Sequence, residues 1–403
     1  MKILFVNKFL YENGGSETYV FKLGEYLASN GHEVQYFGME DERNIVGNKW
    51  NILTKSTTFH KKSPKNLLYP FRIIYSAEAR RKIKQIIKLY RPDIVHLNNF
   101  NFQITPSIIY EVNKHRIPLI FTAHDYQLIC PNHMMYRPDK GVPCEECISS
   151  GFFRCAKNKC IHGSKLRSIL GFFESALYHG LKTYSLIDKV ICPSEFLERK
   201  MLLKPVFKGK TVTIHNPFPK KTKSLSVTKG SYVLYFGRFS KEKGINTLIN
   251  VCKRLSDMQF VFAGGGPLEH LISDTPNIKN AGFLKGDELI KTISEACFSI
   301  YPSEWYENYP YSVMESVIYG TPVIGANMGG IPEIIKNGHT GLLFKPANED
   351  DLAEKILTLR NNRDLLEEMA QNCKKAEFET LDSYGRKLLE LYNLSIREKG
   401  ENK

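Results

Sequence analysis

The 403-residue chain has nothing approaching the roughly 18 consecutive apolar residues that a membrane-spanning helix needs. It has no low-complexity tract and no long internal period, which excludes disordered and solenoid classes. The G-x-G-x-x-G fingerprint is missing, which argues against an ordinary nicotinamide-binding domain. The glycine run Gly264-Gly265-Gly266 is followed by proline rather than Gly-Lys-Ser/Thr, so it is not a P-loop. The opening MKILFVNKFLYENGG carries too short an apolar run for a signal peptide and no small-residue cleavage pattern. A cytoplasmic protein is expected, and its length favours two domains over one core.

Net charge is +14 at neutral pH, and it is unevenly placed. Through residue 220 there are 33 Lys and Arg against 18 Asp and Glu; beyond it, 23 against 24. Between Lys49 and Arg91 stand twelve basic residues and one acid, Glu78, interleaved with Ile83, Ile86, Ile87 and Tyr90. Such a stretch is either a solvated helix face or suited to an anionic membrane surface. Nucleic acid would tolerate the charge, but no recognisable nucleic-acid-binding motif accompanies it, and none is expected as a partner.

Short apolar runs alternate with helical periods in both halves. KILFVN, EVQYF, DIVHL, PLIFTAH, KVIC and TVTIHN read as strands of the first half. SYVLYFG, QFVFAGG, FSIYP, TPVIGA and GLLF read as strands of the second. The polar, basic PFPKKTKSLSVTKG between them reads as a linker. This pattern predicts an α/β protein of two doubly wound parallel sheets, with ligands at the carboxyl ends of the strands. The expected divisions are 1–222, 223–380 and a last helical stretch, 381–403.

Several stretches fall where strands should hand over to helices. Asn13-Gly14-Gly15-Ser16-Glu17 follows the first strand; a glycine pair there lets backbone approach an anionic ligand, or is simply a turn capped by Ser16. Arg238 and Lys243, in YFGRFSKEKG, lie just beyond a strand end and could converge on one diphosphate. In PSEWYENYPYSVMES, Pro310 suits the first turn of a helix, which puts Glu307 in the preceding loop and Glu315 inside the helix. The two carboxylates are therefore not expected to be a side-by-side acid/base pair.

Taken together these motifs resemble the retaining glycosyltransferases of family 4, almost end to end. The resemblance rests on Gly-Gly-x-Glu, TAHDY around His124, HNPF around Asn216, FGRFSKEKG, AGGGP, Gly282-Phe283, and Glu307-x7-Glu315 followed by GTPVIGANMGGIPEII. It implies the GT-B fold: two Rossmann-like domains facing across a cleft, with the acceptor mainly on the first, the donor nucleotide on the second, and a last helix crossing back. It implies that Glu315 accepts from the ribose and Glu307 holds donor sugar hydroxyls. Arg238 and Lys243 would bind the diphosphate, with Gly14 and Gly15 approaching it. His124 would lie by the reacting centre. Asn216, Gly265, Phe283, Leu284, Asn308, Tyr309, Pro310 and Tyr311 would complete the donor site, Tyr309 or Tyr311 narrowing the choice of sugar. Asn308-Tyr309-Pro310 departs from the family's commoner small, glycine-containing sequence. No catalytic metal is expected, and no Asp-x-Asp motif is present for one.

Five of nine cysteines fall at 130, 144, 147, 155 and 160, in an insertion near 130–162 that follows His124. Either Cys144, Cys147, Cys155 and Cys160 hold a structural zinc, or they are reduced thiols in a loop; their spacing matches no standard ribbon. The insertion is expected to shape the acceptor pocket.

The expected function is sugar transfer, with retention, from a nucleotide-diphosphate sugar to a saccharide on a polyprenyl diphosphate, at the inner face of the membrane, in surface polysaccharide synthesis. A nucleotide-sugar 2-epimerase of the same fold and a non-catalytic basic binding protein are the alternatives. Sugar exchange without acceptor marks the former, and indifference to loss of Glu307 or His124 marks the latter.

Overall fold

The computed structural model describes residues 1–55, 69–218 and 229–401. Lys61, Lys62, Lys65 and most of the predicted linker lie outside them. The chain forms two compact units. One comprises Met1–Met135, Cys144–Pro217 and Glu379–Lys403; the other comprises Tyr136–Pro143 and Phe218–Phe378.

The first unit is built on β1 (Lys2–Val6), β2 (Glu33–Phe37), β3 (Ile94–Leu97) and β4 (Leu119–Thr122). The two-strand hairpin that comes next in the chain, β5 (Tyr136–Arg137) and β6 (Val142–Pro143), belongs to the second unit, and the first unit continues with β7 (Lys189–Cys192) and β8 (Thr211–Thr213). The parallel sheet runs in the order β2-β1-β3-β4-β7-β8. All four residues of β3 and of β4 are buried, as expected of strands covered by helices on both faces. Order reverses between β1 and β3, so the crevice beyond their carboxyl ends is the ligand position this topology favours.

In the second unit the strands are β9 (Tyr232–Arg238), β10 (Gln259–Gly265), β11 (Ile278–Gly282), β12 (Phe298–Tyr301), β13 (Val323–Ala326) and β14 (Gly341–Phe344). Their order is β11-β10-β9-β12-β13-β14, again all parallel. The reversal falls between β9 and β12. Strand β11, IKNAG, is absent from the sequence-based reading because it is a polar edge strand, with Lys279 and Asn280 exposed.

The basic helix Ala77–Tyr90 turns Ile83, Ile86, Ile87 and Tyr90 into the core of its unit. Those apolar groups are therefore packing residues, not a membrane-facing stripe. Its cations stay outside, and some are paired: Arg80 with Glu111, and Lys82 with Glu78 at 3.2 Å.

The last helix, Leu381–Glu401, belongs to the first unit. Tyr384, Leu388 and Tyr392, four apart, bury one face among Tyr19, Val20, Leu23 and Leu27. Each buried side chain of this size is worth about 1.5–3 kcal/mol. A Cβ on Gly385 would stand 2.0 Å from the Tyr26 ring, so the close helix contact requires glycine. Ion pairs Lys399–Asp188 and Lys189–Glu398 hold the far end.

Candidate active site

In the first unit, polar side chains gather beyond the carboxyl ends of β1, β3 and β4. His124 follows β4, and its Nε2 lies 2.8 Å from Asn98 Oδ1, just beyond β3. The Tyr19 ring meets the imidazole edge-on at 4.9 Å. Burial lowers the His124 pKa to about 3, so the ring is neutral at physiological pH. Tyr19 is itself fixed: its hydroxyl lies 2.5 Å from Tyr384 of the last helix and 3.2 Å from Thr122. Thr122 bonds to His96 Nε2 at 2.7 Å, and His96 Nδ1 lies 2.5 Å from the Tyr392 hydroxyl. Buried polar groups are thus satisfied in a continuous chain from the last helix to the support of His124.

Gly14 precedes the helix Gly15–Ser29, and Gly15 is its first residue, at the carboxyl end of β1. The motif's glutamate, Glu17, is buried. It accepts from Asn7 Nδ2 at 3.2 Å and from the Ser16 hydroxyl at 2.9 Å. Asn99 donates to the same hydroxyl at 3.0 Å. The glycine pair therefore starts a helix whose first turn is tied to the loops after β1 and β3. Asn216 is buried just beyond β8.

In the second unit, Lys243 and Glu307 meet beyond the ends of β9 and β12, at the reversal of strand order. Lys243 Nζ donates to Glu307 Oε1 at 2.6 Å and to the Tyr301 hydroxyl at 3.1 Å. The same carboxylate oxygen accepts from Trp305 Nε1 at 2.5 Å and from the Ser303 hydroxyl at 2.9 Å. Among the described residues no hydrogen bond goes to Oε2. Burial disfavours the Lys243 charge, but the Glu307 carboxylate beside it outweighs that and holds its pKa above the usual range. An ammonium has three donors, so one remains after Glu307 and Tyr301. The Glu307 backbone is cradled as well: Gly330 N–H donates to its carbonyl at 2.7 Å. Gly329, at φ 62°, passes so close that a Cβ would fall 2.3 Å from that oxygen.

Glu315 stands inside the helix Tyr311–Ile318, and Pro310 caps it in an extended conformation. Its carboxyl makes no hydrogen bond among the described residues, and burial pushes its pKa up to about 7. Arg238 ends β9 exposed. Gly265, its partner across the sheet, accepts from Phe239 N–H at 2.9 Å.

The remaining predicted residues divide. Phe283 projects into solvent at 81% exposure, beyond β11, while Leu284 packs inward against the small cluster around Leu234 and Phe236. Asn308 is half-buried in the loop after Glu307. Tyr309 is 6% exposed and lies in the main hydrophobic cluster, with Tyr311 packed against that cluster. Trp305, Ser303, Asn98 and Tyr19 were not singled out from sequence. The first two flank Glu307 within the quoted motif, and Asn98 directly follows an apolar run, which is the signal that could have found them.

Of the cysteines, Cys147, Cys155 and Cys160 pack as one buried cluster with Phe152 and Ile161. Cys130 is buried too, and Cys144 is half-buried. None of the five is in a disulfide. Among the described residues, no three His, Cys, Asp or Glu side chains are grouped to hold a metal ion. Burial pushes the Cys130 thiol up to about 11.

The model of glycosyltransferase family 4 matches residues 13–220, and that of glycosyl transferases group 1 matches residues 218–376. An uncharacterized glycosyltransferase of Methanocaldococcus jannaschii is 30% identical over 196 residues, covering 47% of this chain and 54% of that protein. The chain thus spans about half the length of that relative. An uncharacterized 42.6 kDa protein in the cps region of Klebsiella pneumoniae is 23% identical over 354 residues, covering 83% and 87%. Among solved structures, a sucrose-phosphate synthase from Thermosynechococcus elongatus has a TM-score of 0.70 at 18% identity over 98% of both chains. HepE of Anabaena, solved in complex with UDP, has a TM-score of 0.66 at 17% identity over 98% of this chain and 100% of its own. At these identities the likeness speaks for fold: two Rossmann-like domains of the GT-B type.

Proposed function

Because the chain belongs to glycosyltransferase family 4, we propose that it transfers a sugar from a nucleoside-diphosphate sugar to a saccharide acceptor, with retention of anomeric configuration. The observation that carries this reading is the Lys243–Glu307 pair at the strand-order reversal of the second unit. Glu315, whose carboxyl makes no hydrogen bond among the described residues, lies in the helix that follows Glu307, and Arg238 ends β9 with its guanidinium exposed.

In this reading the bond from the donor sugar's anomeric carbon to the β-phosphate oxygen breaks. The acceptor hydroxyl oxygen bonds to that carbon from the same face, and its proton passes to the departing phosphate. Charge grows on the leaving diphosphate, so the remaining Lys243 donor and the Arg238 guanidinium stabilise the transition state more than the ground state. Glu307, held through Oε1, offers Oε2 to donor sugar hydroxyls. Glu315 accepts from the ribose. His124 stays neutral, so it adds no positive charge beside a sugar carbon that is itself becoming positive; it acts by hydrogen bonding.

The acceptor is a lipid-linked saccharide, and the setting is surface polysaccharide synthesis at the inner face of the membrane. The cps-region relative and the cationic excess of the first 220 residues support this. No described helix is long and apolar enough to cross a membrane, and the reading takes attachment as peripheral. A thermal-shift screen of nucleotide sugars tests the core of the proposal: one base and sugar should raise Tm, and Glu307→Ala should abolish the shift. No stabilisation by any member of a broad panel would reject it.

A further inference from the structure

Inside the first unit, beyond the carboxyl end of its sheet, lies a cavity of about 270 Å³. Lys8, Gln103, His133 and Arg167 supply its polar walls, and Phe102 and Leu170 supply apolar ones. Among the described residues two of the polar groups are unsatisfied: His133 Nε2 and Gln103 Oε1 are buried with no hydrogen-bond partner. Orphaned buried polar atoms in a folded protein call for an explanation, and here both belong to residues lining the same space.

The backbone around the cavity is strained as well. Phe102 and His133 have φ values of 68° and 64°, and His162, also on the wall, has 52°. Left-handed non-glycine residues concentrate at functional sites. The Phe102 ring stacks on His133 at 4.7 Å with the planes 4° apart, which fixes the imidazole. His133 Nδ1 lies 3.8 Å from Asp125, the residue after His124.

The apolar wall continues outward. Leu166, Phe173 and Leu177 share a helix face with Leu170, at spacings of four, three and seven within Lys165–Gly180, and all three are exposed among the described residues. A cationic cavity with unsatisfied polar atoms thus opens onto an apolar stripe.

We propose that this cavity holds the phosphorylated end of the acceptor, a phosphate or diphosphate whose lipid chain leaves along Leu166, Leu170, Phe173 and Leu177. The assignment rests on the lipid-linked acceptor proposed above and places that lipid's head group. Lys8 and Arg167 neutralise the phosphoryl charge. His133 Nε2–H donates to a phosphoryl oxygen, and Gln103 Oε1 accepts from a hydroxyl of the attached sugar. The cavity is slightly smaller than the roughly 300–1,000 Å³ usual for a whole ligand, which suits a head group whose sugar extends toward His124. The cysteine-rich insertion supplies His133 and His162, which gives it a part in acceptor recognition.

Farnesyl diphosphate, inorganic pyrophosphate and farnesol, titrated into the full-length protein by calorimetry, test the assignment. A nucleoside diphosphate is titrated in parallel to report on the second unit. Farnesyl diphosphate should bind more tightly than pyrophosphate, and farnesol should not bind. Arg167→Gln and Lys8→Gln should each weaken farnesyl diphosphate by about tenfold or more, with nucleotide affinity unchanged. Phe173→Ser with Leu177→Ser should reduce farnesyl diphosphate to the level of pyrophosphate. Equal affinity in wild type and both charge variants would overturn the site. Pyrophosphate binding as tightly as farnesyl diphosphate would assign the cavity to free phosphate and overturn the lipid part. Loss of nucleotide binding would instead speak against the transferase reading itself.

Discussion

The two units use the same architecture to opposite electrostatic ends. Both are six-stranded parallel sheets, ordered β2-β1-β3-β4-β7-β8 and β11-β10-β9-β12-β13-β14. Both place polar side chains where the order reverses. The first unit lies in the strongly basic half of the chain, yet around His124 it presents a neutral imidazole among asparagines, hydroxyls and the carboxyl groups of Glu17 and Asp125. The second comes from a half with balanced charge, yet buries an ion pair at its reversal point. Net charge therefore does not locate the buried ion pair. A few charges at a strand end form it.

Breaking the ion pair should have the largest effect. Glu307→Ala leaves Lys243 buried and uncompensated, which costs about 3–5 kcal/mol for a buried pair and should abolish sugar transfer. Urea unfolding and a transfer assay measure both. His124→Ala, which breaks no ion pair, should lose activity with a clearly smaller stability loss. Equal stability losses in the two variants would erase the contrast between the units.

The first unit's counterpart to that pair is the hydroxyl chain from the last helix. Tyr392→Phe strands His96 Nδ1, and a buried group left unsatisfied costs about 1–3 kcal/mol. Chemical denaturation should register the loss, with nucleotide affinity preserved because the second unit is untouched. An unchanged midpoint would show that the chain is incidental.

A smaller effect is expected from pH. Burial raises the Glu315 pKa from 4.5 to about 7. The folded state therefore holds this proton more tightly than the unfolded state, and Glu315's contribution to stability falls as pH rises from 4.5 toward about 7. Nucleotide affinity should move the other way, rising as the carboxyl ionises to accept from the ribose. Glu315→Gln should flatten that rise, as binding titrations across the range would reveal. Smallest of all, the buried cysteines should behave as neutral thiols: the purified protein should carry no stoichiometric zinc, and a chelator should leave Tm unchanged.

Much of this was legible in the residues. Parallel strands buried on both faces are short apolar runs, so DIVHL and PLIFTAH contain β3 and β4. Proline at 310 separated the loop carboxylate from the helix carboxylate, as the structure has them. Polar edge strand β11 gave no such signal. Nor could sequence pair Lys243 with Glu307, 64 positions apart, because that contact is made by the parallel pairing of β9 with β12 and not by local pattern. The interleaved isoleucines of the basic helix misled for the same reason: period marks an apolar face, but only packing shows that it faces the core.

The most direct measurement is calorimetric titration of a panel of nucleoside diphosphates into wild type, Arg238→Ala, Lys243→Gln and Glu315→Gln. One nucleotide should bind the wild type, and each substitution should weaken it by about tenfold or more, as expected for a charged contact to diphosphate or ribose. Binding that is unchanged in all three variants would contradict the placement of the donor site at the strand-order reversal of the second unit.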